Sequence, residues 1–447
     1  MQALAECSRS TRLEPAPTTP AANAVRPLLA WTTLVVIGYG LVELVNSEAR
    51  RLGVNAPPLT GSYEARANVR LLAAVIVAGG AITLGPLVAT RLRWVHLLLV
   101  SVGASAAWAL ALAFVDGADA IVAPVSLPSE YLGDVPLVDS PGAFLSSFTD
   151  RFDTFRVHVR GHPPGLLLGL WSLDGVGLGG PGMTAALFIV GGALAVPAVL
   201  VAAREVAGET WARRAAPFVV LAPAAVWVAT SADALFTGVG AWAVALVVLA
   251  TDRDRAQNAG LAIAGGVLFG VTAFLSYGLV LLAVIPMVVA WNRRQLRPLA
   301  VAALGAGAVG LAFLAAGFFW VDGLLATRAE YFAGVGGRRP YAVFLISNLA
   351  CLAVALGPAI AVALGRLRDR CAWLLVGGAL LAVVLADVSG MSKGEVERIW
   401  LPFTPWILLA GAALAVGRHG RPYRARQWLT LQAGTALVVQ SVVRTPW

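Results

Sequence analysis

Leu71–Thr90 reads LLAAVIVAGGAITLGPLVAT, a run without one charged side chain, followed at once by Arg91 and Arg93. A helix needs about 20 predominantly apolar residues to cross the hydrocarbon core of a bilayer. This stretch has that length, and runs like it recur from Leu28 to the C-terminus. Bounded most simply, they lie at about 28–45, 71–90, 94–115, 182–203, 214–230, 233–251, 258–275, 277–291, 298–320, 341–363, 371–388, 399–417 and 427–443. The whole chain agrees with this reading. Of its 447 residues 59% are hydrophobic and 13% charged, and the mean hydropathy is +0.79. An average soluble domain is roughly a quarter charged, so a soluble globular protein is excluded. The expected fold is all-α: one polytopic integral membrane domain, 28–443, of about 13 transmembrane helices.

A net charge of +9 and a pI near 10.2 raise the question of nucleic acid. The basic residues argue against it: all 33 are arginine except Lys393, and they fall in short clusters between apolar runs. That is the pattern of loops anchored on an anionic cytoplasmic leaflet. With the N-terminus inside, the inner segments collect Arg9, Arg12, Arg26, Arg91, Arg93, Arg204, Arg213, Arg214, Arg253, Arg255, Arg293, Arg294, Arg297, Arg366, Arg368, Arg370, Arg418, Arg421, Arg424 and Arg426, most of the total. The alternation holds only if 163–175 does not cross. That stretch is short and is broken by Asp174 and glycines, so it reads as a helix at the outer surface. Residues 1–27, rich in Pro and Ala, read as a disordered cytoplasmic tail, and 444–447 as a second short tail. Cys7, Cys351 and Cys371 have neither metal-type nor paired spacing.

The outer segments are then 47–70, 116–181, 322–340 and 389–398, and only 116–181 is long enough to build a site by itself. It carries Asp116, Asp119, Glu130, Asp134, Asp139, Asp150 and Asp153 against Arg151, Arg156 and Arg160. It also holds the most distinctive string of the chain, His158-Val-Arg160-Gly161-His162-Pro163-Pro164-Gly165. Histidines at i and i+4 suggest a metal site, but no glutamate follows His158 as in HExxH, and the residue before a proline avoids the α region. No metal ligands are assigned. Pro163 and Pro164 suit a helix start, with His162 in the entering turn. Two further strings stand out: Ser231-Ala-Asp233-Ala-Leu-Phe236 opening a span, and Arg398-Ile-Trp-Leu401-Pro402-Phe-Thr-Pro405 entering a late one.

An acidic first outer loop ending in His-Pro-Pro and a short surface helix resembles the GT-C superfamily of membrane glycosyltransferases, in particular the protein O-mannosyltransferases and aminoarabinose transferases. Arg398 to Pro405 is similar to the Arg-Tyr-x-Leu-Pro-x-x-Pro pattern of those enzymes, and Ser231 to Phe236 to their small-residue and Asp element. The resemblance spans roughly Val95 to Leu409. It departs from the common pattern in having two helices before the span that normally opens the fold. It also lacks an evident Asp-Glu or Asp-Asp pair at the start of the loop. Asp116 and Asp119 stand where that pair is expected, and Glu130-Tyr131 resembles the acid-Tyr portion of the motif.

The resemblance implies transfer of a sugar from a polyprenyl-phosphate carrier to an extracytoplasmic acceptor: a cell-envelope glycan, a lipid or a protein. In that chemistry an acceptor hydroxyl loses a proton as it attacks, so a carboxylate serves as general base, and Glu130 and Asp116 are the candidates. The departing phosphate needs cations and donors near it, for which Arg398, Lys393, Arg338 and Arg339 are the outward candidates, with His158, His162 and Asp233 also expected at the substrate. No resident cofactor is implied, the divalent-metal requirement is open, and no nucleic-acid partner is expected. The expected location is the plasma (inner) membrane, with Ala/Arg-rich, lysine-poor usage pointing to a high-GC bacterium. The rival class is a transporter or flippase of a lipid-linked precursor, which predicts ionisable residues along a path at mid-membrane depth.

Overall fold

A computed structural model of the chain describes residues 22–46, 52–229, 231–254, 258–415 and 423–445. Among these, eight helices are long and apolar enough to cross a bilayer: α1 (Ala22–Val45), α2 (Leu71–Arg91), α3 (Trp94–Ala113), α4 (Pro181–Ala207), α5 (Ala232–Ala250), α6 (Asn258–Leu275), α7 (Arg297–Ala315) and α8 (Arg370–Val388). A ninth crossing is made if the pair Tyr341–Leu356 and Pro358–Arg366, bent by 93°, counts as one span. The bend sits on Gly357 at φ +82°, where a Cβ would also collide with the Gln432 side chain, so only glycine fits. The protein is a multi-pass, all-α membrane protein. Its only strands among the described residues are β1 (Ser62–Tyr63) and β2 (Val443–Arg444), an antiparallel pair.

Besides that bent pair, four of the thirteen expected spans are not continuous apolar helices, for identifiable reasons. In 214–230 the helix Glu209–Val220 stops ahead of Pro223 and continues as a 3₁₀ turn, Pro223–Trp227. In 277–291 a 3₁₀ segment precedes a helix of only 10 residues, Val284–Arg293. Residues 399–417 are broken at Pro402 and Pro405 into short pieces, Leu401–Phe403, Thr404–Leu408 and Leu409–Leu414. Nearly all of that stretch is buried in protein, so its apolar composition reflects a core. Tyr423–Val442 is long enough to cross but carries Arg424, Arg426, Gln427, Gln432 and Gln440. At the N-terminus α1 begins at Ala22, inside the expected tail, with Pro27 within the helix. Residues 1–21, with Arg9 and Arg12, lie outside the described residues, as do Arg255, Arg418 and Arg421. Arg444, expected to open a tail, pairs with Ser62 in the small sheet.

Small residues let the central helices approach closely, the usual packing device where lipid supplies no hydrophobic driving force. A Cβ on Gly238 of α5 would collide with the Gly191 carbonyl of α4, and one on Gly266 of α6 with the Ala302 carbonyl of α7. Basic residues collect at one end of this bundle. Arg213 donates to Ala89 O at 2.8 Å and Leu92 O at 2.9 Å, and Arg293 reaches Glu205 at 3.1 Å and Thr251 at 3.0 Å, tying together the C-terminal ends of α2, α4 and α5. Cations there also meet the negative ends of helix dipoles.

The opposite end gathers 116–181, 320–340 and 389–398. The first is folded into short helices and 3₁₀ turns around a phenylalanine cluster: Phe148 stacks on Phe155 at 5.2 Å and meets Phe318 edge-on at 5.5 Å. The helix Gly165–Gly175 has 11 residues, about 16 Å of rise and too short to cross. It buries Leu166, Leu167 and Leu170. Arg160 pairs with Glu330 at 2.6 Å, and its carbonyl accepts from Thr327 at 2.9 Å, joining this loop to the helix Trp320–Ala333.

Candidate active site

Three distant strings meet at this end of the bundle. Ser231 caps α5: its Oγ accepts from the Asp233 backbone N–H at 3.0 Å and donates to Asp233 Oδ2 at 2.8 Å, which fixes the carboxylate at the helix mouth. Arg398 comes from the short helix Val396–Ile399, just ahead of the proline-broken segment. His158 lies on the short helix Val157–Arg160 and Glu130 on the extended residue ahead of the 3₁₀ segment Tyr131–Leu137.

The side chains form a chain of polar contacts. Arg398 Nη1 donates to Asp233 Oδ2 at 2.8 Å, and Nη2 donates to Glu395 Oε2 at 3.0 Å and reaches His158 Nε2 at 3.2 Å. A guanidinium only donates, so His158 Nε2 accepts, and its Nδ1–H donates to Glu130 Oε1 at 2.7 Å. These partners select the neutral Nδ1–H tautomer. Glu130, Asp233 and Arg398 are all buried. Burial alone would weaken the charge of Arg398, but Asp233, Glu395 and Glu130 outweigh it and raise its pKa.

His162 stands behind this chain. Its Nδ1 pairs with the His158 carbonyl at 2.9 Å, leaving Nε2 as an acceptor. Burial lowers its pKa to about 4, against the opposing pull of Asp233, so the ring is neutral at neutral pH. Its ring centroid lies 5.9 Å from Tyr131 and 5.7 Å from Phe236. The Tyr131 phenol is buried with no hydrogen-bond partner among the described residues. Burial, then the Glu130 and Asp233 carboxylates, push its pKa well up, so it stays a donor. Glu130, Tyr131, His158, His162, Asp233 and Arg398 line one polar pocket of about 10 Å³, room for a water-sized group.

Five of the residues singled out in the sequence therefore share this pocket: Glu130, His158, His162, Asp233 and Arg398. Asp116, Lys393, Arg338 and Arg339 do not line it. Asp116 pairs with Arg66 and accepts from Gln440 Nε2 at 3.0 Å, fastening the end of α3 to the C-terminal helix. Lys393 is buried, donating from Nζ to the Arg339 carbonyl at 2.9 Å and lying 5.1 Å from the Phe332 ring centre. Arg338 is exposed at the end of the short helix Val335–Arg338.

Arg339, expected to face outward beside Arg338, is instead buried, and with its neighbours it completes the setting. It donates to Leu52 O at 2.8 Å and to the Lys393 carbonyl, and lies 3.5 Å from Glu395. Glu395 thus bridges Arg339 and Arg398. Burial would raise its pKa, but Arg398 and Arg339 hold it below the usual range. Glu397 accepts from Thr60 N at 2.9 Å and Cys351 Sγ at 3.0 Å, and burial pushes its pKa up. Asn348 donates to Ser392 O at 2.7 Å and accepts from Gly394 N at 2.9 Å, holding the loop that delivers Arg398.

Near the pocket runs an apolar groove of about 760 Å³ between α6, α7 and the 277–293 segment, lined also by Phe318, Phe319 and Trp320. Exposed Met287, Leu311 and Leu314 lie along it. Gly165, three residues after His162, packs against the carbonyl of Phe274, itself a groove residue.

No family model and no curated protein sequence matches the chain. Among solved structures, ArnT from Cupriavidus metallidurans in the apo state is similar at 19% identity over 61% of this chain, with a TM-score of 0.40. The match spans 54% of that chain, about half its length. A likeness that loose says nothing of function.

Proposed function

We propose that the chain is a membrane glycosyltransferase of the GT-C type, moving a sugar from a polyprenyl-phosphate carrier to an extracytoplasmic acceptor. The observation that carries this reading is the convergence of the His158–Gly165, Ser231–Phe236 and Arg398–Pro405 strings, with Glu130, on one polar pocket near an apolar groove. A lipid-linked sugar needs such a pair: an apolar channel for the prenyl tail and polar side chains at one end to meet the phosphate and the reacting carbon.

In this reading Glu130 takes the proton of the acceptor hydroxyl. The hydroxyl oxygen forms the new bond to the anomeric carbon as the bond to the carrier oxygen breaks, and the electron pair leaves with the phosphate, with inversion. Arg398 receives the developing phosphate charge. The Tyr131 hydroxyl and the His162 Nε2 acceptor supply further hydrogen bonds, and His158 orients Glu130. The buried ionisable side chains among the described residues, Glu130, Asp134, Asp233, Arg339, Asp387, Lys393, Glu397 and Arg398, belong to this one end. That favours a site at one membrane surface over a conduction path through mid-membrane depth.

The test is reconstitution in liposomes with labelled polyprenyl-phosphate sugars. Covalent transfer of label to an acceptor supports the transferase. Movement of the labelled lipid between leaflets without transfer supports a flippase, and binding alone a protein that only holds the lipid.

A further inference from the structure

The same loop builds a second cavity. Glu130 and Tyr131 line the polar pocket, while the next residues, Leu132 and Gly133, line a separate space of about 370 Å³. Its other walls come from the helix Gly165–Gly175 and the start of α4, giving apolar surfaces at Leu170 and Leu173 and two charged groups, Arg156 and Asp174. Arg156 is fixed in place: Nε donates to Asp134 Oδ1 at 3.1 Å, its backbone N–H to Asp134 Oδ2 at 2.6 Å, and Nη1 to Pro128 O at 2.8 Å. Its Nη2 has no partner among the described residues. Neither does the carboxylate of Asp174, and the two groups do not pair with each other.

A ligand that satisfies both groups must accept from a guanidinium and donate to a carboxylate. A pure acceptor leaves the Asp174 carboxylate unmet, and a pure donor leaves the free Nη2 of Arg156 unmet. A hydroxyl does both, and a molecule with several hydroxyls on an apolar ring also matches the leucine walls. The volume is at the small end of the ~300–1,000 Å³ of small-molecule sites. We propose that this cavity is an acceptor subsite that binds a neutral sugar unit by its hydroxyls, between Arg156 and Asp174. The word acceptor rests on the transferase reading; the sugar site itself does not. Position supports the link, because Arg156 and His158 are two residues apart and the His158 backbone N–H bonds Ser129 O at 3.2 Å, so one short stretch walls both spaces.

The experiment uses the full chain in lipid nanodiscs, with methyl α-D-mannopyranoside and methyl α-D-glucopyranoside as probes and saturation-transfer NMR as readout. Asp174 is exposed and its carboxylate has no hydrogen-bond or ion-pair partner among the described residues, so Asp174→Ala is the main variant, and Arg156→Lys is the second. Losing a hydrogen bond to a charged group should weaken sugar binding about tenfold or more in Asp174→Ala. Binding of a polyprenyl-phosphate to the same variant should be unchanged. Equal sugar binding in wild type and Asp174→Ala, no sugar binding to the wild type, or preferential binding of the zwitterion serine would overturn the proposal. Asp174-dependent sugar binding in a protein that transfers nothing would support the sugar site and count against the transferase reading.

Discussion

Arg398 donates to Asp233 at 2.8 Å, joining residues 165 positions apart in the chain and bringing the mouths of α5 and the late proline-broken segment onto one point. The second nitrogen of the same guanidinium meets His158 and Glu395, so one side chain links three of the converging segments. An arginine holds such a fork in one plane, whereas a lysine offers a single point charge.

The first prediction concerns this residue. Arg398→Lys should retain part of the affinity for a polyprenyl-phosphate and Arg398→Met should lose it, measured on purified, folded protein. Unchanged affinity in Arg398→Met would remove the residue from the phosphate site. Because Asp233 would be left buried without its cation, Arg398→Met should also cost on the order of 3 kcal/mol of stability, readable as a lowered thermal midpoint.

Glu130 and Asp116 should separate cleanly. Glu130→Gln should lower turnover by roughly 10²–10⁴-fold with the fold intact. Asp116, a third exposed and paired with Arg66, should behave as a fastening residue: Asp116→Asn should keep turnover near wild type and cost on the order of 1 kcal/mol. The reverse pattern would move the base to Asp116.

Glu395 lies against both Arg339 and Arg398 on a left-handed backbone, φ +62°, with a side chain 24% exposed. It occupies the cations that an incoming phosphate would use. Glu395→Gln should therefore tighten binding of a polyprenyl-phosphate, by about tenfold given the strength of close charge pairs. Weaker binding in that variant would show that the carboxylate supports the site.

Stability should follow the titration of His162. Burial lowers its folded pKa from 6.5 to about 4, so between these values the unfolded chain takes up a proton that the folded protein refuses. The stabilisation is complete above pH 6.5 and is lost as pH falls towards 4, by at most about 3 kcal/mol. Thermal unfolding in detergent should show a loss on acidification that is smaller in His162→Phe. An identical pH dependence in the variant would exclude His162 as its source.

Much of this organisation was legible in the chain because apolar length and short proline and histidine strings are local signals. Leu71–Arg91 is a span by length and composition, and Pro164 stands at the start of the helix Gly165–Gly175 as the Pro-Pro pair led one to expect. Three things were not local. Composition does not tell a lipid-facing helix from one buried in protein, so 399–417 reads as a span although Leu401–Leu414 is core. Neighbouring arginines diverge: Arg338 ends a helix and faces out, while Arg339, on extended backbone at φ −83° and ψ 113°, turns inward to Leu52 and Glu395. Lys393, distinctive in the composition, uses its charge on the Arg339 carbonyl, a partner that only tertiary structure supplies.

The most direct test of the central claim is a transfer assay on the wild type and Glu130→Gln in parallel, reconstituted at equal density with the same radiolabelled polyprenyl-phosphate sugar and a mixed envelope-glycan acceptor. The account predicts label moving covalently into acceptor with the wild type, and loss of that transfer in Glu130→Gln while the labelled lipid still binds. Labelled lipid that crosses the bilayer at equal rates in both proteins, with none of the label reaching an acceptor, would contradict it.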